Sequence, residues 1–217
     1  MKTTRLLAGI TSAGLLGLVP LAVGAPAQAV EPIATVAVLE TSDPAIVVGE
    51  EAWITGAVRD AAGRSVSYGT VTLYAKSSRD ADYLPVETAN ASGYLSFRHK
   101  AKSNTLYKLI YDGGASSSYA YGVSESNELP MAVQRKVTIK TNKLTLTGKI
   151  TPDFKKRKVV LKRLVGKKQT PKKWRTVKTN KKGVFKVKAP NKRGFQFSVT
   201  VPSDQHYTGW TNPYIVR

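Results

Sequence analysis

Leu144-Thr145-Leu146-Thr147-Gly148-Lys149-Ile150, residues 144 to 150, sets Leu144, Leu146 and Ile150 at even separations with polar residues between them. A period of two marks a strand with one buried face. Val137 and Ile139 keep the same beat ahead of this stretch, and Phe185, Val187 and Ala189 keep it behind, with Thr or Lys in the alternate places. Turn signals divide the runs at Asp60 to Gly63, Asn90 to Gly93, Asp112 to Gly114, Asn180 to Gly183 and Asn191 to Gly194. Short alternating strands with turns at this spacing predict an all-β chain of antiparallel β-sandwiches. No stretch beyond residue 29 has the length and period of a helix.

The chain also repeats itself. Ile54-Thr55-Gly56, Val71-Thr72-Leu73, Tyr83 to Val86 and Asn90-Ala91-Ser92-Gly93 are answered by Leu146-Thr147-Gly148, Val159-Val160-Leu161, Trp174 to Val177 and Asn180-Lys181-Lys182-Gly183, at offsets between 88 and 92 residues. Two tandem copies of one domain are the simplest reading. Strands are expected near 34–39, 51–59, 69–75, 83–88, 93–99, 105–111 and 127–134, and again near 137–141, 143–151, 158–164, 174–179, 183–189, 195–201 and 210–216. Seven strands per copy is the number an immunoglobulin-like sandwich requires.

Finer expectations come from the alignment. Asn104 meets Gly194 and Tyr107 meets Phe197 at one offset of 90, which predicts a shared positive-φ turn feeding a shared aromatic strand. Tyr83 to Val86 and Trp174 to Val177 are spaced by three, so a bulge is needed if both members face the core. Gln134-Arg135-Lys136 leaves almost no linker, and the expected domains are residues 30–134 and 135–217, set end to end.

Ile54-Thr55-Gly56-Ala57-Val58, Asp60-Ala61-Ala62-Gly63, Val71-Thr72-Leu73-Tyr74 and Gly93-Tyr94-Leu95-Ser96-Phe97 resemble the bacterial immunoglobulin-like and transthyretin-like repeats of secreted actinobacterial proteins. The second copy resembles them more sharply, in Leu146 to Pro152, Val159 to Arg163, Trp174 to Val177 and Gly183 to Phe185. The resemblance implies a sandwich fold and an accessory, adhesive or spacer role, and it supplies no functional residue. Nothing resembling a catalytic domain accompanies the repeats, so an accessory role would be played in trans.

Residues 1–29 have the parts of a secretory signal peptide: Lys2 and Arg5, an apolar stretch from Leu6 to Val23, and Ala27-Gln28-Ala29 before Val30. Cleavage after Ala29 is expected, giving a secreted protein with no membrane anchor. Gly9, Gly14, Gly17, Pro20 and Gly24 interrupt the apolar stretch, which argues against a retained membrane helix. The chain has 0 cysteines, so disulfides, thiolate nucleophiles and cysteine metal sites are excluded. Each copy is large enough to bury a core without such staples.

Charge separates the copies. Residues 30 to 132 carry 8 Lys+Arg against 12 Asp+Glu, net −4, whereas residues 133 to 217 carry 24 against 2, net +22. Lys155, Lys156, Arg157 and Lys158, with Lys178, Lys181 and Lys182, are expected at one end of the second sandwich, because strands that reverse direction return alternate loops to the same end. Lys167, Lys168, Lys172, Lys173, Lys192 and Arg193 are expected at the other, with Lys140, Lys149, Lys186 and Lys188 pointing outward between. This array suits an extended anionic polymer: a cell-wall polymer, an acidic polysaccharide or nucleic acid.

Other chemistries have little to work with. His99 and His206 fall in different copies, no Gly-x-Ser-x-Gly elbow occurs, and the expectation is a protein that is not an enzyme and has no cofactor. Asp60, Asp80, Asp82 and Glu50-Glu51 lack calcium-loop spacing, and no metal site is expected. Trp174 aligns with Tyr83 and reads as a fold residue, while Trp210 is the candidate partner contact. The leading reading is a secreted, non-enzymatic binding protein whose basic second domain associates with anionic polymers or a cell-wall surface. The alternatives are a spacer or adhesin, or an accessory or inhibitor protein whose partner is an exported enzyme.

Overall fold

The computed structural model describes residues 31–116 and 118–217, so the expected leader and the cleavage at Ala29 lie outside the described residues. Glu31–Arg217 forms one compact unit with two hydrophobic cores. It is all-β, with antiparallel sandwiches of the immunoglobulin-like kind.

In the first half the strands are β1 (Thr35–Glu40), β2 (Ala45–Val47), β3 (Ala52–Asp60), β4 (Thr70–Ser77), β5 (Leu84–Asn90), β6 (Leu95–His99), β7 (Thr105–Tyr111), β8 (Gly114–Ala115), β9 (Ala120–Tyr121), β10 (Ser124–Glu125) and β11 (Leu129–Gln134). One sheet has the order β1-β3-β6; the other runs β2-β11-β7-β4-β5. Leu39, Ile54 and Phe97 from the first and Val71, Leu73, Tyr107 and Leu109 from the second meet in the core. The second half has β12 (Lys136–Asn142), β13 (Thr145–Thr151), β14 (Lys158–Val165), β15 (Thr170–Lys178), β16 (Val184–Lys188), β17 (Gln196–Val201) and β18 (Trp210–Ile215). Its sheets repeat the plan as β12-β13-β16 and β15-β14-β17-β18, closing over Leu146, Ile150, Phe185, Val187, Val159, Leu161, Phe197 and Val199. The short strand β2, parallel to β11, has no equivalent in the second half, where only Lys143 and Leu144 join β12 to β13.

The bulge is present in both hairpins. Leu73 faces Glu87 and Tyr74 faces Pro85, leaving Val86 unpaired; Leu161 faces Arg175 and Lys162 faces Lys173, leaving Trp174 unpaired. Trp174 therefore takes the place of Val86, 88 residues earlier, and not that of Tyr83. Both bulge residues pack against their cores, whereas Tyr83 lies outside, its hydroxyl on Glu128 and its ring under Lys108 and Lys76. The shared turn fails as well. Gly194 has φ +77°, but Asn104 is not among the positive-φ residues. Its side chain bridges strands and halves instead: Oδ1 accepts from Val133 N at 2.9 Å and Nδ2 donates to Gln205 O at 3.4 Å.

Pro202 to Gly209, the connection between β17 and β18, wedges against the first half. Asn104 N donates to His206 O at 2.8 Å, Thr208 N donates to Val133 O at 2.9 Å, and Ser78 Oγ pairs with His206 Nδ1 at 3.0 Å. Tyr207 is buried in the first core; its hydroxyl donates to Lys102 O at 3.0 Å and accepts from Arg79 Nη2 at 3.2 Å. Arg79 also pairs with Asp153 at 2.7 Å. Beside the wedge, the Arg135 guanidinium lies 4.1 Å from the centre of the Tyr207 ring, with its side chain 2% exposed. It donates to Pro152 O at 2.9 Å and to Asp204 Oδ2 at 2.6 Å. Asp204 Oδ2 also accepts from Arg157, while Oδ1 accepts from the N–H groups of His206 and Tyr207. Burial opposes its ionisation, but the hydrogen bonds from Arg135, the His206 backbone and Arg157 outweigh that, and its carboxyl is held down to about 2.

Three outcomes are expected. A Cβ at Gly148 would lie 2.1 Å from Phe185 Cε1, so Gly148→Ala should lower stability by about 1–3 kcal/mol in denaturant titration. Tyr207→Ala, made in the second half, should cost about 3–5 kcal/mol and lower the melting of the first core as well, read by exchange protection of β7 amides. Asp204→Asn leaves Arg135 buried without its anion and should cost about 3 kcal/mol near neutral pH. Because the folded carboxyl titrates at about 2 rather than 3.8, the margin of the native protein over Asp204→Asn should be full above about pH 4 and shrink as pH falls towards 2. A margin constant across that range would show that Asp204 contributes no charge.

Candidate anion-binding surface

Alternation with one buried face forces the polar residues of β12 to β18 outward, and in this half those residues are largely lysine. The thirteen predicted basic positions, Lys155, Lys156, Arg157, Lys158, Lys167, Lys168, Lys172, Lys173, Lys178, Lys181, Lys182, Lys192 and Arg193, are all exposed. Their grouping follows strand direction. Lys156 N donates to Asn180 O at 3.3 Å and Thr179 N to Arg157 O at 2.9 Å, so the loops carrying Lys155 to Arg157 and Lys181-Lys182 are joined at the end nearest the first half. Lys167 and Lys168 occupy the β14–β15 turn at the opposite end, where Arg163 faces Phe197 across β14 and β17 and the Lys192-Arg193 loop leads into β17.

Arg157 differs from its neighbours, because its guanidinium is held by Asp204. The acids of this half are both committed to the junction: Asp153 pairs with Arg79 and Asp204 with Arg135 and Arg157. Among the described residues, no other Lys or Arg between 133 and 217 forms an ion pair. Their charge is left to solvent and to whatever binds.

The two sheets display that charge differently. On the outer face of β12-β13-β16, Lys140 and Lys186 both face Thr147, Lys149 lies between Thr138 and Val184, Lys188 faces Thr145 and Lys136 faces Thr151. Each lysine there has an uncharged cross-strand neighbour. On the hairpin β14–β15, Lys158 faces Lys178, Lys162 faces Lys173 and Arg163 faces Lys172. Like charges directly opposite one another weaken a ladder. The equivalent pairs of the first half are neutral: Thr70 with Asn90, and Tyr74 with Pro85. This opposition is set by pairing register, which loop position and strand face do not specify.

The remaining candidates have structural surroundings. Trp174 packs edge-on against Phe195 and Phe197 at 5.1 and 5.2 Å between ring centres. Trp210 is half-buried against the same core. His99 Nδ1 pairs with the Tyr107 hydroxyl at 2.8 Å, and burial lowers its pKa. Asp60 accepts from the N–H groups of Arg64 and Ala62 and pairs with the Arg64 side chain at 2.7 Å; the Arg64 N–H above all lowers its pKa. Among the described residues no group of three or more His, Asp or Glu side chains could hold a metal ion, and no helix is long and apolar enough to cross a membrane.

No family model and no curated protein matches the sequence. Similar solved structures are immunoglobulin-like and fibronectin-like β-sandwich proteins. The human OSCAR ligand-binding domain is 10% identical, with a TM-score of 0.33 over 83% of this chain and 98% of its own. The FN1-FN3 domains of chicken CNTN1 are 13% identical, with a TM-score of 0.30 over 84% of this chain and 65% of theirs. The Yersinia pseudotuberculosis adhesin InvE is 13% identical, with a TM-score of 0.31 over 83% of this chain and 58% of its own. Likeness at this level lends nothing to function, and the fold class stands on the chain's own sheets.

Proposed function

We propose that this is a secreted binding protein without catalytic activity, whose second domain, residues 135–217, associates with anionic polymers such as those of a cell wall. The observation that carries this reading is the unneutralised charge: 24 Lys+Arg against 2 Asp+Glu from residue 133 onward, with both acids turned to the junction. Edge strands use lysine to prevent stray pairing, and β12, β15 and β16 are edges. That device does not account for Lys149, Lys158 and Lys162, which lie on the interior strands β13 and β14. Excess cationic charge is also a poor route to solubility. The wedge supports a second element of the reading: the first domain, residues 30–134, is presented at a fixed angle to the bound surface, as a spacer or adhesin would be.

Titrating the protein lacking residues 1–29 with labelled oligothymidylate and with heparin tests the reading. If about six charges are matched, affinity should fall roughly 10²–10³-fold between 50 and 200 mM salt. Replacing Lys155, Lys156, Lys158, Lys181 and Lys182 with Gln should weaken binding and flatten the salt slope; Arg157 is left in place because it holds Asp204. Binding indifferent to salt would move the function to a protein partner instead.

A further inference from the structure

Resting on that reading, we infer that the polymer is a single extended chain of closely spaced phosphate or sulfate groups, and that it lies along the outer face of the β14–β15 hairpin. The pairing register builds the track. Buried Val159 and Leu161 turn Lys158, Val160 and Lys162 outward on β14. On β15 a strict period of two from Lys178 would put Trp174 on that outer face and Lys173 inside. The bulge reverses this: it sends Trp174 into the aromatic core and brings Lys173 out, opposite Lys162.

Two lysine pairs result, Lys158 with Lys178 and Lys162 with Lys173, separated by the uncharged pair Val160 and Thr176. Members of a pair stand about 5 Å apart at Cβ, and the pairs are about 13 Å apart along the strand. Lys155, Lys156, Lys181 and Lys182 extend the track at one end, and Lys167 and Lys168 extend it at the other. The same face turns uncharged immediately beyond the hairpin, with Ser198 and Thr200 on β17 and Thr211 and Pro213 on β18. The cationic strip is thus only two strands wide, roughly 10 Å. Its interior repulsion is eased by dissolved salt and by an anion seated between the columns.

Two variants of equal charge loss test this. One carries Lys158, Lys162, Lys173 and Lys178→Gln; the other carries Lys136, Lys140, Lys186 and Lys188→Gln on the opposite sheet. With oligothymidylate as the phosphate probe and heparin as the sulfate probe, the hairpin variant should lose tenfold or more in affinity at low salt. Its salt slope for oligothymidylate should fall by about 3, at about 0.7 per lysine on a single strand. The opposite-face variant should change affinity less than about threefold. Without any polymer, the hairpin variant should melt higher than the native protein at low salt, and oligothymidylate should raise the melting of the native protein but not of this variant. Equal losses in the two variants would overturn the track while leaving polymer binding intact. So would duplex DNA of equal length that binds more tightly than the single strand and ignores the hairpin substitutions. Native protein that binds neither probe would overturn the proposed function as well. A hairpin variant that melts no higher at low salt would remove the repulsion on which the track rests.

Discussion

Folding takes the guanidinium of Arg135 out of water, and the carboxylate of Asp204 makes that tolerable. Much of the arrangement follows from this pair. Arg135 sits between the last strand of one sandwich and the first of the next, so its position fixes where the second half begins. Asp204 opens the wedge that carries Tyr207 into the first core. The same carboxylate takes Arg157, and Arg79 takes Asp153, so the junction absorbs the only acids in a strongly basic half. The bareness of the lysine surface is in part a consequence of how the halves are joined.

The bulge in β15 links core to surface in a similar way. Trp174 completes a cluster with Phe195, Phe197 and Tyr214, the last stacked on Phe197 at 5.6 Å. Accepting the extra residue changes which lysines face solvent together beyond it. In the first half the same bulge delivers Val86 to the core and leaves neutral residues outside. One backbone device therefore supports two different surfaces, and the difference lies entirely in the side chains placed upon it.

Period-two alternation made the major strands legible because each has one buried face, and β7 is found at the predicted residues 105–111. The bulge in β15 was legible too, from the spacing of Trp174 and Val177. In the first half Tyr83 does not face the core, and the spacing from Tyr83 to Val86 did not mark the bulge. The register was not legible: pairing Trp174 with Tyr83 matched aromatic to aromatic, whereas the ladder matches Trp174 with Val86. Asn104 was misread for a related reason. Its type suits a positive-φ turn, but its side chain is engaged by Val133 and Gln205, neither of which is near it in sequence. The short strand β2 went unseen because three residues carry too little pattern. The basic candidates were legible as a set from composition, while the capture of Arg157 by Asp204 and the opposition of Lys162 to Lys173 needed contacts that no local pattern encodes.

Tyr207 also bears on how such a chain can be inherited. A domain can be moved from one chain to another as a unit when it carries its own core. Here one half keeps a core residue of the other, and the residue that opens the wedge neutralises the connection between them. A recombination break at residue 134 would leave the first sandwich with a hole where Tyr207 packs and the second with an exposed aromatic wedge. The two sandwiches share one strand plan, but the first completes its core only with a residue from the second.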